Sequence, residues 1–125
     1  MITPHIRAFL DDLHETLAEH HEFMLTTDGD TSALVRIEGS SIEIEVSDRT
    51  VRLRYGGEWQ LLHDHAFALQ VVEALFDGRV EIEIHHGLLW RTTRSYLDGS
   101  ARPFVTTRMP VPSLRIRTER RRVVT

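Results

Sequence analysis

Strict two-residue alternation is the feature that most constrains this chain. Leu34 to Glu38, Ile42 to Val46, Val51 to Tyr55 and Val80 to Ile84 each place apolar residues at every second position, with polar or charged residues between. Side chains on a strand point to opposite faces in turn, so such segments read as strands buried on one face only. A sheet built from them is antiparallel, with one face against a core and one open to solvent. Turn signals separate the runs. Gly39-Ser40 and Asp48-Arg49 suit two-residue turns, and Gly56-Gly57 turns the chain again before a short strand over Glu58 to Leu61. A turn at Asp48-Arg49 sets Ile44 against Leu53, Glu45 against Arg52 and Glu43 against Arg54. Apolar then meets apolar on one face and acid meets arginine on the other, so the register supports itself.

Two segments break the alternation with helical spacing. Thr3-Pro4 suits a helix start, and Ile6, Leu10, Leu13, Leu17 and Met24 recur with Phe9 beside them. Asp11, Asp12, Glu15, Glu19 and Glu22 fill the other face, and the polar run Thr26 to Thr31 ends the segment. An acidic amphipathic helix of this kind is repelled by an anionic membrane surface. Asp64 caps a second helix over His65 to Asp77, with Gly78 just past its end. Its apolar residues (Phe67, Ala68, Val71, Val72, Leu75, Phe76) cover much of its surface, so it is the more buried of the two.

After this helix the strands resume. His85-His86-Gly87 fits a three-residue hairpin loop with glycine left-handed, followed by a strand over Leu88 to Leu97. Asp98-Gly99 is the strongest hairpin signal, and a strand over Ala101 to Met109 follows. Pro110 and Pro112 then break pairing, Ser113 to Thr118 alternates again, and Glu119 to Thr125 forms a basic tail. The expected fold is α+β: helix, antiparallel strand meander, helix, antiparallel strand meander, with the helices packed on one sheet face. Residues 1–112 read as one domain and 113–125 as a basic C-terminal strand or tail. The leading order of elements is similar to that of small bacterial secretion chaperones, although those usually finish with a helix where this chain has strands.

Charge is divided along the chain. Through Trp90 there are six arginines against seventeen acids, and from Arg91 onward nine arginines against two. Opposite charges on one chain must pair at home, with a second copy or with another molecule. Glu81 and Glu83 on one side, and Arg115, Arg117, Arg120, Arg121 and Arg122 on the other, are therefore candidate partner-binding residues. The strand that carries these arginines can add to an acidic sheet face, within the chain or on a second copy. The same arginines could neutralise phosphates, but the acidic body opposes a polyanion and no aromatic residues interleave with them for base stacking.

All fifteen basic residues are arginine and cysteine is absent, which excludes disulfides, Schiff-base lysine chemistry and thiolate catalysis or ligation. There is no GxSxG, phosphate loop or dinucleotide glycine pattern. Trp59, Trp90, Tyr55 and Tyr96 read as core or sheet-surface aromatics. Among eight histidines, His63, His65, His85 and His86 form the one candidate metal set. A helix of about 20 Å followed by a returning strand of about 23 Å would bring the second pair back towards the first, with Asp64 close by. A divalent metal is the cofactor such a cluster could take, although the spacings match no metal signature. His20 falls on the apolar stripe of the first helix and reads as a core-edge residue. The N-terminus carries no basic leader and apolar stretch, and no run is long enough to cross a bilayer, so a cytoplasmic protein is expected. The reading these features support is a small bacterial-type, non-enzymatic adaptor, chaperone-like or immunity-like protein. It would use its acidic helix and sheet face to bind a protein partner, and could dimerise through the C-terminal segment. A histidine-based metalloprotein or hydrolase, and a nucleic-acid binder using the arginine tail, are the alternatives.

Overall fold

The computed structural model describes residues 3–17, 23–28 and 32–123. It is an α+β structure with the order α1 (Pro4–Leu17), β1 (Phe23–Asp28), β2 (Ser32–Ile37), β3 (Glu43–Ser47), β4 (Val51–Tyr55), β5 (Glu58–Leu62), α2 (His65–Phe76), β6 (Val80–His86), β7 (Arg91–Leu97), β8 (Val105–Met109) and β9 (Arg117–Arg122). The strands form two antiparallel sheets, one from each of the expected strand runs: a five-stranded sheet in the order β1-β2-β3-β4-β5 and a four-stranded sheet in the order β8-β7-β6-β9. The chain divides into two compact units within α2, between Glu73 and Ala74. None of the described helices is long and apolar enough to cross a membrane.

The first unit is a plain meander. Its register matches the alternation: Val35, Ile44, Leu53 and Gln60 share one row, and Ala33, Val46, Val51 and Leu62 the next. All eight side chains are buried. The opposite face carries Arg36, Glu43 and Arg54 in one row and Glu45 with Arg52 in another. Their ion pairs run from 3.5 to 3.7 Å, and the Arg52 guanidinium sits 5.0 Å from the Trp59 ring centre. Gly56 and Gly57 both take positive φ, as the tight β4–β5 hairpin requires. Helix α1 is capped by Thr3, whose Oγ1 accepts from the Ile6 amide at 3.4 Å and donates to the Asp48 carboxylate. Its buried stripe is Ile6, Phe9, Leu13 and Leu17, and it packs near β3.

Met24 does not extend the stripe of α1. It lies in β1, which pairs with β2 from Phe23↔Ile37 to Asp28↔Ser32. The half-buried alternation of β2 and the β-branched pair Thr26-Thr27 outweigh the helical spacing from Leu17 to Met24. His20 and His21 lie outside the described residues.

Helix α2 begins where expected: the Asp64 carboxylate accepts from the Ala66 amide at 3.0 Å. Its end is a Schellman motif, with Arg79 N–H donating to the Ala74 carbonyl at 2.8 Å, Gly78 N–H to that of Leu75 at 3.2 Å, and Gly78 at φ 69°.

The second unit is a Greek key. Strands β6, β7 and β8 form a meander, and β9 returns beside β6. Its loops differ from the simple reading. Strand β6 runs through His86, so the hairpin loop is Gly87 to Trp90 rather than His85 to Gly87. Gly87 N–H donates to the Trp90 carbonyl at 2.9 Å. A Cβ on Gly87 would stand 3.0 Å from that oxygen, so close approach, not a left-handed φ, explains this glycine. Asp98-Gly99 does turn the chain, with Ser100 N–H donating to the Leu97 carbonyl at 2.9 Å. Pro103 delays the next strand until Val105. Alternation over Ser113 to Thr118 produces a strand only from Arg117, and that strand continues to Arg122 through residues that read as tail.

Candidate functional site

Strand β9 brings the sequence-selected charges together within one chain. In its antiparallel register with β6, Glu81 faces Arg122 and Glu83 faces Arg120. The Arg120 Nε–H donates to Glu81 Oε2 at 3.1 Å, and Arg120 Nη1 lies 3.8 Å from Glu83. Arg94, from β7, reaches Glu83 at 3.5 Å on the same face. Arg122 contacts Glu81 at 3.3 Å and Asp98 at 3.8 Å, and donates to the Gly78 carbonyl at 2.6 Å. Arg120 also lies over the Tyr96 ring, 4.9 Å from its centre. These arginines are half exposed, so each pair contributes roughly 0.2–1 kcal/mol. Arg117 pairs within its own strand with Glu119 at 3.6 Å. Arg121 sits across from Ile82. Arg115 precedes β9 and is exposed, and no described ion pair engages its guanidinium.

Three of the four candidate ligand histidines have separate partners. His65 Nε2–H donates to the Ser47 carbonyl at 2.7 Å, and its ring meets Phe9 edge-on at 5.4 Å. His63 is exposed beside the capping Asp64. His85 and His86 are consecutive strand residues and so face opposite sides of the sheet. His85 Nδ1 lies 3.0 Å from Thr118 Oγ1, and His86 Nε2 lies 3.3 Å from Glu119 Oε2. Strand geometry therefore separates the two imidazoles that the sequence places side by side. Among the described residues no group of three or more His, Asp or Glu side chains is gathered closely enough to hold a metal ion.

A different feature dominates one end of the four-stranded sheet. There β6 stops at His86, β7 starts at Arg91, β8 stops at Met109 and β9 starts at Arg117. The hairpin loop holds out Leu88, Leu89 and Trp90, and the crossing segment from β8 to β9 holds out Val111, Leu114 and Ile116. Leu114 is fully exposed and Leu89 is 71% exposed. The two segments touch: Ser113 N–H donates to the Gly87 carbonyl at 3.2 Å. Arg108 stacks over Trp90 at 4.7 Å, and an Arg91 N–H lies 3.8 Å from Met109 Sδ. Together the two segments make an exposed apolar belt at this end of the sheet, with Arg108, Arg115 and Arg117 in or next to the same segments and no acid in the sequence between Asp98 and Glu119.

Large apolar side chains exposed together at one end of a sheet mark an interaction site, and tryptophan, methionine and arginine are enriched at interface cores. Trp90 thus belongs to an exposed loop and not, as its sequence position suggested, to a strand. Each half left only a local signal: Leu88-Leu89-Trp90 breaks the alternation directly after a glycine, and Pro110 and Pro112 interrupt the strands before Leu114 and Ile116. No family model, curated protein or solved structure matches the chain.

Proposed function

We propose that this chain is a small, cytoplasmic, non-enzymatic binding protein of bacterial type that acts by docking a protein partner. The observation that carries this reading is the apolar belt of Leu88, Leu89, Trp90, Val111, Leu114 and Ile116. Covering such side chains in a complex gains roughly 25 cal/mol per Å² of apolar surface removed from water. The acidic sheet faces are weaker candidates, because Glu43, Glu45, Glu81 and Glu83 already meet arginines of the same chain. The acidic face of α1 (Asp11, Asp12, Glu15) is the competing surface.

Affinity purification from the native host tests this reading, using full-length protein that is wild type, Leu88→Ser/Leu114→Ser, or Asp12→Asn/Glu15→Gln. A co-purifying protein, re-formed as a complex from purified components, is expected with the wild type and the helix variant and lost with the belt variant. Loss with the helix variant alone would move recognition to α1. A stoichiometric transition metal in untagged protein would favour the metalloprotein reading instead.

A further inference from the structure

We infer that the belt and the open side of β9 together form a docking edge for an extended acidic segment of the partner protein, which adds to the sheet as a strand. This inference rests on the belt being a protein-binding surface and specifies the chemistry of what binds there. Strand β9 ends the sheet order, so among the described residues no strand pairs along its far side. All six of its residues are exposed. An edge strand offers a row of unpaired N–H and C=O groups, and an extended peptide can satisfy them by continuing the ladder.

The side chains beside that edge select the occupant. Arg120 and Arg122 lie on one face of β9, and Arg117 and Arg121 on the other, against the single acid Glu119. A strand laid along this edge has arginine beside it on both faces. Glutamate or aspartate fits there: the half-exposed Arg117 is engaged by Glu119, and Arg120 and Arg122 by Glu81, Glu83 and Asp98, and a guanidinium with five N–H donors can donate to a second carboxylate. A second β9 does not fit, because edge-to-edge pairing would bring two strongly basic strands together. The belt adjoins the start of this edge, since Leu114 and Ile116 lead directly into Arg117. The occupant is therefore acidic along most of its length and apolar at one end.

Anionic lipid would satisfy the belt and the arginines but would not use the backbone edge. That difference separates the two partners experimentally. The probes are short fluorescein-labelled peptides with two leucines at alternate positions at one end and alternating glutamates along the rest, made in both chain directions. Matched versions carry glutamine or lysine in place of glutamate. Binding to the full chain is read by anisotropy, and backbone protection by hydrogen exchange.

The glutamate peptide is expected to bind, to lose at least about tenfold in affinity in about 0.5 M salt, and to slow exchange of amides across 114–122. Trp90→Ala and Arg115→Gln/Arg117→Gln should each weaken it with the circular dichroism spectrum unchanged. Equal binding of the glutamine peptide overturns the acidic occupant while leaving the belt as a docking surface. Binding without protection of β9 overturns strand addition. Capture by phosphatidylserine vesicles with no peptide binding replaces the protein partner by a membrane. No binding of peptide or vesicle overturns this inference, whereas the belt reading beneath it falls only if the Leu88→Ser/Leu114→Ser variant keeps the co-purifying protein.

Discussion

The Ser47 carbonyl at the end of β3 accepts a hydrogen bond from His65 at the start of α2, and the same imidazole closes over the edge of Phe9. One side chain thereby joins a strand, two helices and the buried stripe of α1. A part-buried hydrogen bond to a carbonyl contributes about 0.5–1.5 kcal/mol, and an aromatic edge contact contributes a similar amount. His63, two residues earlier, is exposed and has no such role. His65→Ala should therefore lower stability by about 1–2 kcal/mol in chemical denaturation, whereas His63→Ala should stay within about 0.5 kcal/mol of wild type. Equal effects would remove the structural role assigned to His65. The contrast also explains why histidine spacing alone was a poor guide. His63 and His65 share a short stretch of sequence, but one faces water and the other completes a helix-to-strand joint.

At the scale of elements, β9 is unusual because it is held without a core of its own. Its ladder to β6 and a set of half-exposed ion pairs hold it, and the buried Val123 follows just after it. Removing it would convert β6 from an inner strand to an edge bearing Ile82 and Ile84, which the register places beside Arg121 and Glu119. A long, apolar, unpaired edge is a template for association. Protein truncated after Ile116 should thus scatter light and elute as oligomers at concentrations where the full chain does not. A truncated form that remains monomeric would mean that β9 does not protect the β6 edge.

The sequence pointed to an arginine-bearing C-terminal strand that could add to the acids at 81 and 83, but it put that strand at Ser113 to Thr118, whereas β9 pairs through Arg120 and Arg122 in the stretch that read as tail. The β3–β4 register was legible from the complementary alternation across Asp48-Arg49, and the caps of α2 because Asp64 and Gly78 bracket its apolar run. Strand β1 was not legible, because Met24 satisfies helical spacing and only pairing with β2 decides against it. The belt was not legible as a surface because its two halves are separated by the whole of β7 and β8. Proximity there is created by the Greek-key return, which no local pattern encodes.

The whole molecule carries net charge −4, yet its charge is unevenly disposed. In both sheets the acids of the charged face are met by arginines a few ångströms away, so those regions project little field beyond a Debye length of about 8 Å at physiological ionic strength. At the belt end, Arg108 and Arg115 have no described ion pair, and Arg117 reaches only Glu119. A local cationic end on a net anionic molecule interacts with charged surfaces by orientation and not by its total. The full chain should therefore be retained on a sulfonate cation exchanger near neutral pH in low salt, against the expectation from net charge. Arg108→Gln/Arg115→Gln/Arg117→Gln should pass through unretained with an unchanged melting temperature, because these side chains contribute little to packing. Asp12→Asn/Glu15→Gln, which raises the net charge on α1, should leave the order of the two proteins unchanged. If the wild type also passes through, or the triple variant is retained equally well, the belt end is not the cationic pole of the molecule. The acidic occupant inferred for β9 would then lose its electrostatic basis.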